Sequence, residues 1–189
     1  MERKEGDAKK RSPWLRMTTR AVAYAAVSVA GVFVATLAGF GAGAFSFNLG
    51  DTLILLASAL FGPVIGMIAG GLGSFLADLA VYPTTMLFTL VIKGVEGLIC
   101  GLLLLLVRKT VQKPALIWLF SGLSMVFSTF LMAGGYYLCQ SLFYGTAESA
   151  LVALPMDLVQ ASVSFALAFI LLFPLKLIRF REKKDKWFV

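Results

Sequence analysis

Five ionisable residues, Asp51, Asp78, Lys93, Glu96 and Asp157, stand within or at the ends of stretches otherwise apolar enough to live in a bilayer. A charge held at membrane depth costs about 2.5–3.5 kcal/mol on insertion scales, so such residues usually line a binding site or pathway. Lys93 and Glu96 are three apart and share one helix face, and Gly94 and Gly97 leave room for another backbone or a ligand to approach. An internal ion pair with small-residue helix packing is the plainer account of the two, but even an ion pair needs a polar setting, and that points to a cavity. Asp51, after Asn48-Leu49-Gly50, could be a helix N-cap, and Asp157, two residues after Pro155, suits the first turn of a helix, where the macrodipole favours an anion. Asp78 falls at the carboxyl end of its helix, where the dipole opposes negative charge, so capping does not explain it.

The elements that must position these residues follow from composition. The chain of 189 residues is 59% hydrophobic and 14% charged, with mean hydropathy +0.88, far too apolar for an ordinary soluble domain. It reads as an all-α integral membrane protein with one membrane domain, residues 18–178, between a basic tail at 1–17 and another at 179–189. Long apolar runs predict helices over Thr18 to Phe40, Met86 to Val107, Ala115 to Leu142 and Leu154 to Leu175. Gly62-Pro63 divides the remaining run into two short helices, Leu49 to Phe61 and Pro63 to Leu79, for six transmembrane helices in a compact bundle.

The net charge of +7 gathers beside apolar segments, at Arg3 to Arg20, Arg108 to Lys113 and Lys176 to Lys186. Such clusters mark the cytoplasmic side and attract anionic lipids, so nucleic acid is not an expected partner. Six helices put all three clusters and both termini in the cytoplasm, and leave the loops at Gly41 to Asn48, Tyr82 to Thr85 and Tyr144 to Ala153 outside without Lys or Arg. A cleaved signal peptide would leave an odd number of spans with basic regions on opposite sides, and its apolar core would be unusually long.

These helix directions bring all five charges into the outer half of the membrane. Lys93 and Glu96 fall roughly 10–15 Å below the start of their helix at 1.5 Å per residue. Asn48, Tyr82, Thr84, Thr85, Tyr136, Tyr137, Gln140 and Gln160 collect at the same level, a setting for a small, flat, polar molecule held by stacking and a few hydrogen bonds. No histidine is present, and Cys100 and Cys139 lie in different apolar runs and read as packing residues, so no metal site, cofactor or catalytic relay is expected. Gly62, Gly66 and Gly70 recur on one helix face, joined by Gly71 and Gly73, and no Walker sequence occurs.

The runs Asn48-Leu49-Gly50-Asp51, Leu60-Phe61-Gly62-Pro63, Gly70-Gly71-Leu72-Gly73-Ser74-Phe75-Leu76-Ala77-Asp78 and Ile92-Lys93-Gly94-Val95-Glu96-Gly97 together resemble the substrate-binding S components of energy-coupling factor (ECF) vitamin transporters, in the riboflavin-transporter-like branch. The resemblance covers the membrane part, with its specific motifs between Asn48 and Gly97. It implies a prokaryotic cell-membrane protein that binds riboflavin, vitamin B6 or the thiamine pyrimidine precursor from outside, under the loop between helices 1 and 2. It implies as partners a transmembrane coupling protein and two ATPase subunits. Members carry small residues spaced Ala-x-x-x-Ala on helix 1 for the coupling protein, and Ala21 with Ala25 and Ala26 with Ala30 have that spacing.

The expected ligand contacts are Lys93 and Glu96, with Asn48, Asp51, Asp78 and Tyr82 towards the rim and Tyr136, Gln140, Asp157 and Gln160 from helices 5 and 6. The competing class is a self-sufficient proton-coupled transporter in which Asp78, Glu96 or Asp157 relays protons, against which no inverted repeat is evident. A membrane enzyme lacks a nucleophile–base pair.

Overall fold

In a computed structural model the structure describes residues 13–39, 47–144 and 146–174. Most of the N-terminal basic tail, the C-terminal basic cluster and most of the loop between helices 1 and 2 lie outside the described residues. Six α-helices follow one another: α1 Pro13–Leu37, α2 Gly50–Phe61, α3 Pro63–Val81, α4 Met86–Thr110, α5 Pro114–Cys139 and α6 Ala147–Leu172. A π-helical turn, Gln140–Tyr144, extends α5. Five of the six are long and apolar enough to cross a membrane.

Successive helices run antiparallel, as their contacts show. Tyr24 of α1 stacks on Phe61 of α2 with centroids 4.7 Å apart. A Cβ on Gly70 of α3 would lie 3.1 Å from Ile54 of α2, and one on Gly135 of α5 would lie 3.2 Å from Ile92 of α4. The ends at Pro13 and Leu172 are therefore on the same end of the bundle as Arg108, Lys109 and Lys113.

The α2–α3 reversal is set by Gly62, whose φ of 95° is open to glycine and strained for other residues, followed by Pro63 at the first position of α3. The 12-residue α2 rises about 18 Å, short of the ~30 Å hydrocarbon core. It is buried along nearly its whole length, from Gly50 through Ala59 apart from half-buried Leu53. Neighbouring helices enclose it, so its polar residues can be satisfied by protein and need not face lipid.

Glycine brings α3 and α4 together. A Cβ on Gly97 would strike the Gly66 carbonyl, and one on Gly70 would strike the carbonyl of Lys93. Small residues permit this close backbone approach in lipid, where packing contributes much of helix association. Away from the polar end, Leu55, Leu56, Cys100, Leu104, Met125 and Leu172 form a dry apolar core.

Helix α6 differs from expectation. It begins at Ala147, seven residues before Leu154, because Thr146 and Ser149 form a reciprocal capping box: Ser149 N donates to Thr146 Oγ1 at 3.3 Å and Thr146 N donates to Ser149 Oγ at 3.1 Å. Most of the stretch expected as an outer loop, Tyr144 to Ala153, is thus helical. Pro155 lies inside the helix, and Asp157 sits three turns in, too far from the N-terminus to serve as its cap.

Candidate functional site

A cavity of about 390 Å³ opens among Asn48, just before α2, and the ends of α3 to α6 opposite Arg108 and Lys109. That volume lies within the range of small-molecule sites. Asn48, Asp78, Tyr82, Lys93, Tyr136, Gln140, Asp157 and Gln160 line it, while Asp51 and Glu96 lie beneath its surface.

The floor is a buried polar network. Lys93 Nζ donates to Asp51 Oδ1, and Glu96 Oε2 lies 3.7 Å from the same ammonium. Gln160 Nε2 donates to Asp51 Oδ2 at 2.7 Å, and its Oε1 accepts from the backbone N–H of Asn48 at 3.1 Å and the Asn48 side-chain amide at 3.3 Å. Asn48 Oδ1 in turn accepts from Gly50 N at 2.9 Å. The first loop, α2, α4 and α6 are thereby tied through one carboxylate. Lys93, Asp51 and Glu96 are 3%, 0% and 0% exposed, so the attraction within the network must offset a large desolvation cost.

Asp51 corrects the reading of it as a helix cap. It stands in the first turn of α2, but the residue at the cap position is Leu49 and no side chain caps the helix. The Asp51 carboxylate is turned instead to Lys93 and Gln160. The closer partner of Lys93 is accordingly Asp51, 42 residues away, and not its helical neighbour Glu96, whose two oxygens are buried without a hydrogen bond.

The wall is a second chain of contacts. Tyr136 OH donates to Thr89 Oγ1 at 3.1 Å, Thr89 Oγ1 donates to Asp78 Oδ2 at 2.5 Å, and Thr85 Oγ1 donates to the same oxygen at 3.2 Å. Two hydroxyls from the start of α4 thus stabilise the carboxylate that the carboxyl end of α3 disfavours. The Lys93 ammonium lies 5.4 Å from the centroid of the Tyr136 ring, within cation–π range, and joins wall to floor.

Several lining residues were absent from the expected ligand contacts: Thr85, Phe88, Thr89, Cys139, Ser149 and Ala153. Thr89 was open to detection, since Thr89, Lys93 and Glu96 follow the i, i+4, i+7 spacing of one helix face. Ser149 was hidden by reading its segment as a loop. Cys139 is half-buried at the cavity and Cys100 is buried in the apolar core, and both are free thiols. Among the described residues no cluster of His, Cys, Asp or Glu could hold a metal ion.

A family model described as "ECF-type riboflavin transporter, S component" matches residues 15–177. The chain belongs to this family. It is a multi-pass membrane protein and, as an ECF S component, a transport protein. Among curated relatives, the "Thiamine precursor transporter HmpT" of Lactococcus lactis subsp. cremoris is 34% identical over 122 residues, 64% of each chain. An "Uncharacterized protein in gap 3'region" of Pyrococcus woesei is 59% identical over 54 residues, 29% of this chain and 36% of that one. The matched stretches thus span less than two thirds of either relative's length.

The four alanines assigned to partner contact lie on α1, the least covered long helix. Ala26 and Ala30 are exposed, Ala21 and Ala25 are half-buried, and Val32 packs fully against the bundle, where a Cβ on Gly73 would lie 2.7 Å from it.

Proposed function

We propose that this S component captures a water-soluble vitamin or vitamin precursor from outside the cell and delivers it inward only together with a separate transmembrane coupling protein and two ATPase subunits. The observation that carries this reading is the cavity: a polar, partly aromatic pocket at one end of an otherwise apolar bundle, closed below by a buried ion network. The basic residues Arg108, Lys109 and Lys113 at the opposite end favour a cytoplasmic position there, beside anionic lipid, with the cavity facing outward in a prokaryotic cell membrane.

The relative named as a thiamine precursor transporter supports a vitamin-class ligand. Lys93, Asp78, Tyr82, Tyr136, Gln140, Asp157, Asn48 and Gln160 contact the ligand directly, and Asp51 and Glu96 act from beneath. The uncovered face of α1 around Ala26 and Ala30 receives the coupling protein, because small side chains let a second helix approach closely.

Reconstitution in proteoliposomes tests the assignment. The purified chain alone binds vitamin but accumulates none, and uptake appears when the coupling protein and ATPases are added with ATP. Concentrative uptake by the chain alone under a proton gradient would replace this reading with that of a self-sufficient transporter. Mass spectrometry of a copurifying molecule identifies the ligand.

A further inference from the structure

The charged groups in and beneath the cavity are unevenly divided between cation and anion, although neutral hydrogen-bonding groups remain. The Tyr136 hydroxyl is used on Thr89, the Thr89 hydroxyl on Asp78, and the Ser149 hydroxyl on the Thr146 carbonyl at 2.8 Å. The side-chain amides of Asn48 and Gln160 each donate one N–H, to Gln160 and Asp51, and each keeps a second. Lys93 is bound to Asp51, with Glu96 behind it and the Tyr136 ring beside it. Gln140 and Tyr82 remain as neutral groups towards the mouth.

One carboxylate at the cavity has no partner in the protein. Asp157 lines the cavity, its Oδ2 is buried without a hydrogen-bond partner, and neither ion pair among the described residues includes it. A carboxylate oxygen removed from water and left unpaired is costly, and an N–H arriving with a ligand would relieve that cost. Across floor and wall, the carboxyl groups of Asp51, Glu96, Asp78 and Asp157 face a single ammonium, that of Lys93, which is already engaged.

We infer that the cavity selects an uncharged or cationic aromatic heterocycle bearing an exocyclic amine, that the amine donates to Asp157, and that phosphate esters of the same ring are rejected. The inference rests on the vitamin-capture reading and narrows its substrate class. A phosphate group in this space meets Asp78 and Asp157 with no free cation to balance it, since the other basic side chains of α4 are at its far end. Unpaired like charge of this kind discriminates between ligands as strongly as added attraction does. Phe88 and Tyr136 supply ring surfaces beside the carboxylates.

Isothermal titration of the full chain in detergent tests this with matched ligands. Pyridoxamine and pyridoxine share a ring and differ by an amine in place of a hydroxyl; the hydroxymethyl aminopyrimidine moiety of thiamine, riboflavin and the phosphate esters of the first three complete the panel. At least one amine-bearing ring binds about tenfold or more tighter than pyridoxine and riboflavin, and its phosphate ester binds about a hundredfold or more weaker. Asp157→Asn lowers affinity for that ring by roughly tenfold to a hundredfold while the melting temperature stays near that of the parent. If pyridoxine or riboflavin binds best, or a phosphate ester binds as well as its parent ring, the inference falls while vitamin capture stands. If none of these rings binds the parent protein, both fall. The comparison of ring with phosphate ester requires no variant, so it decides the matter even if Asp157→Asn does not fold.

Discussion

The floor and the wall of the cavity use the same kinds of side chain to different ends. In the floor the protein supplies the counter-charge: both carboxylate oxygens of Asp51 are taken, by Lys93 and Gln160, and Glu96, though without a hydrogen bond, has the same ammonium 3.7 Å away. In the wall, Asp78 is held through one oxygen and Asp157 has an oxygen with no partner at all. A charge buried beneath the surface must be paired by the protein, whereas one facing a cavity can be left to a ligand. The difference separates residues that build the pocket from residues that read its contents.

Lys93→Ala makes the largest demand on that separation. It leaves Asp51 and Glu96 buried without their cation, and breaking a buried pair in this way costs about 3–5 kcal/mol. The expected result is a large drop in melting temperature in detergent together with lost ligand binding. Lys93→Met combined with Asp51→Asn removes both charges of the closest pair and recovers part of that stability. If Lys93→Ala melts like the parent, the floor is not the structural member of the comparison.

Gly97→Ala probes the packing that sets the floor. The added Cβ meets the Gly66 carbonyl, which is backbone and cannot swing aside, so α3 must move away from α4. Overpacking of this kind costs about 1–3 kcal/mol, read as a lowered melting temperature. Because Gly70 lies against the Lys93 carbonyl on the same helix pair, weakened ligand binding accompanies the shift.

That coupling also shows what the chain made legible. Helix directions followed from the apolar runs and the basic clusters, and they sufficed to bring Asp78, Lys93, Tyr136, Asp157 and Gln160 to one end of the bundle. Partners across helices did not follow. Spacing along α4 pairs Lys93 with Glu96, while the contact with Asp51 depends on how closely Gly66, Gly70 and Gly97 let helices approach. The start of α6 was obscured because its capping box ends in Ser149, without the usual Glu or Gln at that position, and because Pro155 suggested a beginning where the helix is already established. Gly62-Pro63 marks α2 as a short helix, but apolarity alone does not show that its neighbours enclose it.

Asp78→Asn is expected to act on the wall with little effect on the fold. Asparagine keeps an oxygen to accept from Thr89 and Thr85, so stability changes by no more than about 1 kcal/mol. Loss of the charge reduces ligand affinity by about tenfold in titration calorimetry, the magnitude of one charge-assisted hydrogen bond. A melting temperature that falls as far as that of Lys93→Ala would place Asp78 with the pocket-building residues.

Tyr136→Phe gives the smallest and most discriminating effect, because Tyr136 touches both parts. Its hydroxyl belongs to the wall through Thr89, and its ring lies beside the floor's ammonium. Phenylalanine removes the first contact and keeps the second, at a cost of about 1 kcal/mol. Thr89 then still donates to Asp78, so the carboxylate remains in place and ligand affinity falls only a few-fold. Tyr136→Leu removes the ring as well and exposes the Lys93 side of the floor to the cavity. If the leucine variant destabilises the protein much more than phenylalanine does, the ring is what shields the buried ion network from the ligand space; equal effects would assign Tyr136 to the wall alone.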